Sequence, residues 1–242
     1  MFDLAEAMDL SGVRVVVLDA VGTLIHPVQP VAATYVEVAR QFGVQLDEAT
    51  IAARFKGALQ RFTVESSFES PALATSEEIE RSWWHGFIAE VLEIESQDAT
   101  PIFDALWDYY ASRQSWRLFD DAQLLIDRLN AQGWPWVIAS NFDARLVEIC
   151  RADPHLSSAK RVFPSSLVGW RKPSIHFFRK IEAELAAAPH SLFMVGDDQV
   201  ADYEAATYAS WQAIKLNRDP NRRPGDLASL ADLAKQISGI RA

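Results

Sequence analysis

A run of apolar residues stands near the start of the chain, at positions 13–18, where Arg14 alone interrupts it. A run of this kind, without polar alternation, is typical of a parallel strand that is covered on both faces. Asp19 follows the run directly, and Gly22 and Thr23 come shortly after it. The carboxyl ends of parallel strands open onto the ligand crevice of a doubly wound sheet. The pattern therefore predicts a first strand that delivers an acidic side chain to this crevice.

Apolar residues recur every three or four positions after this strand, which predicts helices. Gly43 is a helix stop signal, and Thr75 with Glu78 resembles a capping box at the start of a helix. We expect Pro101 to stand at the first position of a further helix and residues 61–74 to form a loop. The predicted helices are 30–42, 47–60, 75–93 and 100–111. They predict an all-helical insert without strands.

Strands and helices alternate in the rest of the chain. Short apolar runs predict strands at 136–139, 161–164, 192–195 and 212–216. A helical period predicts helices at 122–131, which Asp120 can cap, and at 143–151, 174–185 and 200–209. A polar loop is expected at 217–225. Alternation of this kind predicts a parallel sheet with right-handed crossovers.

The predicted fold class is α/β, a doubly wound parallel sheet with an inserted helical subdomain. Residues 1–26 and 116–242 are expected to form the α/β core, and residues 27–115 the helical insert. With 49% hydrophobic residues, the chain can bury a substantial core. Disorder is therefore not expected.

The charge balance limits the partners of the protein. The chain has 23 basic and 33 acidic residues, a net charge of −10. This balance disfavours nucleic acids and anionic membranes as partners, because their phosphates recruit Lys and Arg. A phosphorylated small molecule stays possible, since it needs only a local positive site. No apolar run approaches the ~20 residues of a membrane span.

Cysteine usage and the first residues indicate the compartment. Cys150 is the single cysteine, and it falls in a predicted helix, so we expect a buried structural thiol in a reducing compartment. Residues 1–6 are acidic and lack the charge pattern of a signal peptide. We therefore expect a soluble cytoplasmic protein.

Polar residues with possible chemistry follow several predicted strands. They are Asp19, Thr23, Ser140, Asn141, Lys172, Asp197, Asp198 and Asp202. Each has an ordinary structural explanation: a carboxylate can cap a turn or a helix, and a lysine can be solvated in a loop. Asp19 could equally attack an electrophile or bind a cation. The fold brings the ends of these strands to one edge of the sheet, so we expect the side chains to converge.

These segments, in this order, resemble the four motifs of the haloacid dehalogenase (HAD) superfamily, most of whose members are phosphatases. The resemblance covers nearly the whole chain and implies a helical cap that closes over the active site. Residues 140–143 and 169–173 are similar to one branch of the superfamily, that of haloacid dehalogenase-like hydrolase domain-containing protein 3. The family resemblance does not name a substrate.

The resemblance implies a role for each residue that contacts the substrate. Asp19 would be the nucleophile and form an aspartyl-phosphate. The Ser140 hydroxyl and the backbone N–H of Asn141 would hold phosphate oxygens, and Thr23 would add a hydroxyl beside the acid. Lys172 would neutralise charge on the nucleophile and on the phosphoryl group.

The resemblance also implies Mg²⁺ as cofactor. Asp19 and Asp197 would bind the ion through carboxylates, and Val21 through its backbone carbonyl. Asp198 and Asp202 would either bind it directly or support the residues that do.

Val21 departs from the family pattern, since the phosphatases carry a second acid two residues after the nucleophile. That acid protonates the leaving oxygen and later activates water, and valine does neither. Loss of a positioned general acid–base typically lowers the rate ~10²–10⁴-fold. We therefore expect a phosphatase that is slow or restricted to good leaving groups. His26 is either a substitute proton donor or a solvent-facing residue of the turn.

Three functions follow from this pattern. The first is a Mg²⁺-dependent phosphatase that acts on a small phosphate ester. The second is a metal-independent 2-haloacid dehalogenase, which needs no acid but has a tyrosine where this chain has Val21. The third is a phosphate-binding protein without turnover. A phosphonate hydrolase that uses an insert lysine is less favoured, because Lys56 is the only lysine in that segment.

Aromatic residues are concentrated in the insert. Two clusters of ring-bearing residues lie on predicted helices: Trp83, Trp84, His85 and Phe87 on one, and Trp107, Tyr109 and Tyr110 on another. We expect them to pack helix against helix, and the alternative is the lining of a pocket. An exposed patch could also pair two subunits, so either a monomer or a homodimer is compatible with the sequence.

Overall fold

The computed structural model describes residues 10–62 and 67–237. The prediction for residues 1–6, parts of the expected loop at 61–74 and both ends of the expected core lie outside these residues. The strands are β1 Val15–Leu18, β2 Ile25–Pro27, β3 Trp116–Leu118, β4 Trp136–Ser140, β5 Val162–Pro164, β6 Leu192–Gly196 and β7 Gln212–Lys215. The helices are α1 Val31–Gln41, α2 Glu48–Phe62, α3 Glu77–Leu92, α4 Ser96–Ala111, α5 Asp120–Ala131, α6 Arg145–Ala152, α7 Ser165–Val168, α8 Ile175–Leu185, α9 Ala205–Tyr208 and α10 Leu230–Ile237.

The predicted doubly wound sheet is confirmed. Five parallel strands lie in the order β5-β4-β1-β6-β7, so the chain begins in the middle and builds outward on either side. In the register of β1, Val17 pairs with Val137 of β4 and with Met194 of β6. The strand that ends at the predicted nucleophile therefore occupies the centre of the sheet.

The two faces of the sheet pack against different helices, because successive side chains of a strand point to opposite sides. Val16 and Leu18 belong to a core cluster shared with α5, α6 and α10. Val17 belongs to a second cluster, shared with α8 and α9. Coverage of both faces explains why the first strand has an apolar run rather than an alternating pattern.

Helices α1 to α4 form a third cluster of their own. Tyr35, Ile51, Phe87 and Phe103 are buried there among aliphatic residues. The expectation of an insert without strands is wrong at residue 27, and an isolated β-bridge also forms near the middle of the insert. Pro27 lies in β2, which pairs antiparallel with β3, and Ala74 forms a β-bridge with residue 170. Such pairings join distant segments, so local periodicity does not reveal them.

Two predicted helix starts in the insert are wrong. The Thr75–Glu78 capping box does not form: Ser76 is the N-cap, and its hydroxyl accepts from the backbone N–H of Ile79. Pro101 lies inside α4, because burial of residues such as Ala99 extends this helix back to residue 96.

Differences also occur in the second half of the chain. Asp120 is the first residue of α5 rather than its cap, and Phe119 takes the cap position without a side-chain bond. The helix predicted at 200–209 begins as a π-helix, Gln199–Glu204, and continues as α9. Helices α7 and α10 were not predicted. Cys150 is buried, as expected.

Within the described ranges, no helix combines the length and apolarity that crossing a bilayer requires.

Candidate active site

The ends of three neighbouring strands bring the predicted catalytic residues together. Asp19 follows β1, Ser140 ends β4, and Asp197 follows β6. These strands are adjacent in the sheet and parallel, so their carboxyl ends share one edge. The predicted convergence of the motif residues is present in the fold.

Lys172 lies at the centre of this edge. Its Nζ donates to Oδ1 of Asp19 at 2.8 Å, to Oδ1 of Asp202 at 2.5 Å and to the carbonyl of Ala139 at 3.1 Å. Burial by itself would lower the pKa of this ammonium, but the charges of the two carboxylates outweigh it and hold the pKa above its usual range. Lys172 is therefore a permanent positive charge beneath the site.

The two oxygens of Asp19 have different surroundings. The Ser140 hydroxyl donates to Oδ1 at 2.9 Å, so Oδ1 accepts from both Ser140 and Lys172. Among the described residues, no side chain donates to Oδ2. One oxygen is thus oriented by fixed donors, while the other stays available to a ligand.

Asp19 also belongs to a cluster of three carboxylates at this edge of the sheet. Asp19, Asp197 and Asp202 each offer an oxygen, and these atoms lie within 4.8 Å of one another. Partial loss of hydration and the charge of Asp19 raise the pKa of Asp197 to about 6, although its side chain reaches solvent. Burial, more than the neighbouring charges, raises the pKa of Asp202. Each acid is therefore harder to ionise without a cation nearby.

This donor set fits Mg²⁺. Hard carboxylate oxygens are the ligands that this cation prefers, and it usually retains water for its remaining positions. Exposure of Asp197 leaves such positions open to solvent. Both oxygens of Asp202 already accept hydrogen bonds, from Lys172 and from the backbone N–H of Asp198 at 3.0 Å. Asp19 and Asp197 are consequently the better placed of the three to bind the ion.

Asp198 lies outside this cluster. Its Oδ1 accepts the backbone N–H groups of Val200 at 2.8 Å and Ala201 at 2.7 Å, which makes it the N-cap of the π-helix. Its backbone N–H in turn holds Asp202. The contacts of Asp198 thus orient a member of the cluster.

Two glycines allow the acidic cluster to pack closely. Gly22 has φ +87°, and a Cβ at this position would overlap the carboxylate of Asp197. A Cβ at Gly196 would overlap the carboxylate of Asp202. Both positions require glycine because the backbone itself contacts the acids.

Arg218, from a distant loop, binds the backbone of the turn that carries Thr23. The Thr23 hydroxyl donates to Oδ1 of Asp197 at 3.5 Å. Arg218 donates to the carbonyls of Gly22 at 2.6 Å and Thr23 at 3.0 Å, and it pairs with Asp121. Sequence reasoning missed Arg218, because an arginine in a polar loop has no motif or periodicity that marks it.

Asn141 binds the backbone of the lysine loop. Its side-chain amide donates to the carbonyl of Lys172 at 2.8 Å and accepts the Lys172 N–H at 2.7 Å. The side chain therefore fixes the position of the lysine. The phosphate contact predicted for the Asn141 backbone stays a prediction.

Val21 faces a cavity of about 350 Å³ between the core and the insert, which we call the aromatic cavity. Its lining includes Val21, Trp84, Phe103, Trp107, Asn141 and Arg145. His26 lies elsewhere: its ring packs on Phe119 at 4.5 Å, and its Nδ1 lies 2.9 Å from the carbonyl of Pro27. These contacts are those of a residue of strand β2, while the position of the missing acid opens onto the cavity.

The aromatic residues of the insert divide between the two predicted roles. Phe87 is fully buried in the insert core, and Trp83 stacks on it at 5.2 Å. Trp84, Trp107 and Tyr110 line the aromatic cavity. Helix packing and a pocket lining are thus both present.

An ion pair joins the insert to the loop that carries Lys172. Glu80 of α3 is buried and accepts from Nε and Nη2 of Arg171 at 2.6 and 2.5 Å. The Thr75 hydroxyl donates to the same carboxylate at 2.7 Å. Backbone bonds between residues 73–75 and 169–171 run alongside. The sequence showed no sign of this junction, because its partners lie 91 residues apart.

Comparison with known sequences identifies the family. Residues 13–210 match the family model described as haloacid dehalogenase-like hydrolase. The mouse protein named haloacid dehalogenase-like hydrolase domain-containing protein 3 is 26% identical over 198 residues, which cover 80% of this chain and 77% of the mouse chain. This relative bears the name of the branch predicted from residues 140–143 and 169–173.

Solved structures share the fold at low sequence identity. The HAD-hydrolase YfnB from Bacillus subtilis, bound to magnesium, has a TM-score of 0.71 at 18% identity, covering 93% of this chain and 99% of that one. The L-2-haloacid dehalogenase from Xanthobacter autotrophicus with chloropropionic acid covalently bound has a TM-score of 0.68 at 14% identity, covering 94% and 99%. At these identities the likeness concerns the fold alone.

Proposed function

This chain belongs to the haloacid dehalogenase-like hydrolase family, and we propose that it is a Mg²⁺-dependent phosphatase that carries the phosphoryl group of a small ester on Asp19. The observation that supports this function is the acidic cluster of Asp19, Asp197 and Asp202, within 4.8 Å of one another. A carboxylate nucleophile alone needs no such neighbours. Two further acids beside it favour a reaction in which a cation and an anionic substrate meet.

The first step uses Asp19 as nucleophile. One carboxylate oxygen attacks the phosphorus, the bond from phosphorus to the ester oxygen breaks, and its electron pair leaves with that oxygen. Water then attacks the phosphorus of the aspartyl-phosphate and releases inorganic phosphate and free Asp19. Two displacements at phosphorus replace one more difficult reaction with water.

Lys172 and Ser140 prepare the nucleophile. Their donors fix the orientation of Asp19, at 2.8 and 2.9 Å from Oδ1. The permanent charge of Lys172 also opposes the negative charge that a phosphoryl group brings to a carboxylate. Mg²⁺, when bound, would neutralise phosphoryl oxygens as a Lewis acid, and Asp19 and Asp197 would hold it, with the Val21 carbonyl as a proposed third ligand.

Val21 restricts the leaving groups that this phosphatase can release. Its side chain donates no proton to the leaving oxygen, and none of the described contacts of His26 is with Asp19 or Lys172. The leaving group must therefore depart as an anion or take its proton from water. We accordingly propose that the enzyme prefers esters of acidic alcohols.

The alternative function is a metal-independent 2-haloacid dehalogenase, a reaction that needs no acid at residue 21. In that reaction the Asp19 carboxylate attacks carbon and a halide departs without a proton. Val21 is compatible with such chemistry, but the reaction gives Asp197 no purpose. The acidic cluster therefore favours the phosphatase.

An assay with two substrates separates these functions. Purified protein and an Asp19→Asn variant are incubated with p-nitrophenyl phosphate and with L-2-chloropropionate, each in Mg²⁺ or EDTA. We expect ester hydrolysis that requires Mg²⁺ and is absent from the variant. Chloride release in EDTA would establish the dehalogenase instead.

Calorimetric titration with Mg²⁺ adds a readout that does not depend on turnover. We expect binding to the wild type, weakened at least 10-fold by Asp197→Asn. If both substrates stay intact while Mg²⁺ and a phosphate analogue bind, the protein is a binding protein without turnover.

A further inference from the structure

The aromatic cavity borders two of the loops that carry the proposed phosphoryl site. Val21 lies two residues after Asp19, and Asn141 follows Ser140 directly, and both line the cavity. Opposite them stand helices of the insert, including Trp84 of α3 and residues of α4. A substrate whose phosphoryl group is at Asp19 would therefore place the rest of the molecule in this cavity.

The lining is largely aromatic and aliphatic. Phe103, Trp116 and Phe142 contribute rings from three different parts of the chain. A polyhydroxylated group such as a sugar would lose water here without gaining enough hydrogen-bond partners. Tyr35 and Tyr110 add hydroxyls to the lining, and the Tyr110 hydroxyl is buried. These few neutral polar groups suit an apolar ring better than a sugar.

Arg145 is the one charged side chain among the described lining residues, and its charge is already paired. Its Nε and Nη2 donate to the two carboxylate oxygens of buried Asp143, both at 2.7 Å, and Nη1 donates to the carbonyl of Trp107. Its guanidinium also stacks 3.4 Å from the Trp107 ring centre. The cavity consequently offers no free charge to a second phosphate or a carboxylate, which disfavours nucleotides and phosphorylated amino acids.

The size of the cavity limits the leaving group. At about 350 Å³ it is at the lower end of the ~300–1,000 Å³ typical of small-molecule sites. One or two fused rings fit this range better than an extended chain or a dinucleotide.

Val21 points to the same class of substrate for a separate reason. A phenol has a pKa of about 10, like tyrosine, and so leaves as phenoxide far more readily than an alkyl alcohol leaves as alkoxide. An enzyme without a proton donor at residue 21 is suited to such a leaving group.

Building on the phosphatase proposed above, we propose that the substrate is the phosphate monoester of an uncharged aromatic alcohol of the phenol class, with the ring in the aromatic cavity. The bond from phosphorus to the aryl oxygen breaks as Asp19 attacks. The electron pair leaves with the aryl oxygen, and the phenoxide then takes a proton from water.

The test compares three esters: 2-naphthyl phosphate, 2-naphthylmethyl phosphate and glucose 6-phosphate. We expect the two naphthyl esters to bind the Asp19→Asn variant with similar dissociation constants, at least 30-fold below that of glucose 6-phosphate. In the wild type we expect kcat for 2-naphthyl phosphate to exceed that for the methylene-bridged ester at least 100-fold. Equal binding of the sugar ester would overturn the assigned cavity, and equal turnover of the two naphthyl esters would overturn the assigned leaving group.

A cavity variant provides the structural control. Val31 lines the aromatic cavity at the start of α1, whereas Val28 is exposed and does not line it. We expect Val31→Phe to lower kcat/KM for 2-naphthyl phosphate at least 10-fold without affecting acetyl phosphate, and Val28→Phe to change neither. Equal effects of Val31→Phe on both substrates would contradict the assignment.

Hydrolysis tests the phosphatase activity, and binding to the inactive variant tests the ligand class separately. If no phosphate compound, acetyl phosphate included, is hydrolysed, the proposed function fails. Binding of 2-naphthyl phosphate to Asp19→Asn, and its loss in the Val31→Phe double variant, would still support the ligand class. Absence of that binding would overturn it.

Discussion

The side-chain nitrogen of Lys172 lies 2.8 Å from Oδ1 of Asp19, although 153 residues separate them in the chain. The same nitrogen holds Asp202 at 2.5 Å, so one buried ammonium compensates two buried carboxylates. The geometry of the site and part of the stability of the fold therefore depend on a single side chain.

We expect Lys172→Met to abolish activity and to lower the free energy of unfolding by about 3–5 kcal/mol, because it leaves buried carboxylates without a counter-charge. Urea denaturation measures the change. Lys180→Met is the matched control, since Lys180 is half exposed and lies 3.8 Å from Glu184. There we expect a loss below about 1 kcal/mol. Equal stability of the two variants would contradict this role of Lys172.

The acidic cluster predicts how stability depends on pH. The native pKa of Asp197 is about 6, above the ordinary carboxyl value, so the native state binds a proton more readily than the unfolded state. Ionisation of Asp197 therefore lowers the free energy of unfolding progressively as the pH rises from about 4 to about 6. Above that pH the loss of stability is complete. The raised pKa of Asp202 acts in the same direction.

We expect Asp197→Asn to raise the Tm of the metal-free protein at pH 7 and to flatten its decline between pH 4.5 and 7. Thermal denaturation in EDTA across this range provides the measurement. Asp108→Asn, on the exposed side of α4, should follow the wild type. If the Asp197 variant shows the same slope as the wild type, the carboxylates do not repel one another as described.

Val21 predicts a gain of function. A carboxylic acid at this position would border the apolar cavity and could donate a proton to the leaving oxygen. We expect Val21→Asp to raise kcat for an alkyl phosphate at least 10-fold, within the ~10²–10⁴ range of general acid–base catalysis. Val21→Asn controls for polarity, because it resembles aspartate in shape but does not titrate. An unchanged or lower rate in folded Val21→Asp would refute this explanation.

Gly196 predicts a local packing effect. A methyl group there overlaps the Asp202 carboxylate, so Gly196→Ala should displace Asp202, lower activity at least 10-fold and reduce stability by about 1–3 kcal/mol. Gly86 lies within α3 with no atom near its Cβ position. Gly86→Ala should instead stabilise the protein by roughly 0.5–1 kcal/mol. Urea denaturation and the phosphatase assay check both, and a neutral Gly196→Ala would be inconsistent with the structure.

The ion pair between Glu80 and Arg171 connects the insert to the loop that carries Lys172, so we expect it to affect both stability and substrate binding. We expect Arg171→Ala to reduce stability by about 3 kcal/mol, because it leaves the buried Glu80 carboxylate unpaired. It should also accelerate thermolysin cleavage and raise KM. Arg151→Ala, which breaks the exposed pair with Glu148 in α6, should cost less than about 1 kcal/mol and leave KM unchanged. Identical behaviour of the two variants would exclude such a link.

Some features of this protein could be predicted from the sequence because they are local. The apolar run of residues 13–18 reflects burial on both faces of the sheet, and burial is recorded in the side chains themselves. The alternation of strands and helices predicts the parallel order, since right-handed crossovers leave few topologies. The ends of parallel strands share an edge, so the convergence of Asp19, Ser140 and Asp197 also followed from the pattern.

Other features required tertiary structure because they depend on which distant residues meet. Asp198 and Asp202 are equivalent acids in the sequence, but backbone N–H groups occupy Asp198 while Asp202 contacts Lys172. The identity of Val21 was plain, yet its place on the wall of a cavity was not. Arg145 lines the same cavity, and only the structure shows that its charge is paired with Asp143. The hydrophobic pattern of the sequence predicts whether a residue is buried. Which residue pairs with a charged side chain depends on contacts between distant segments, and only the tertiary structure determines those.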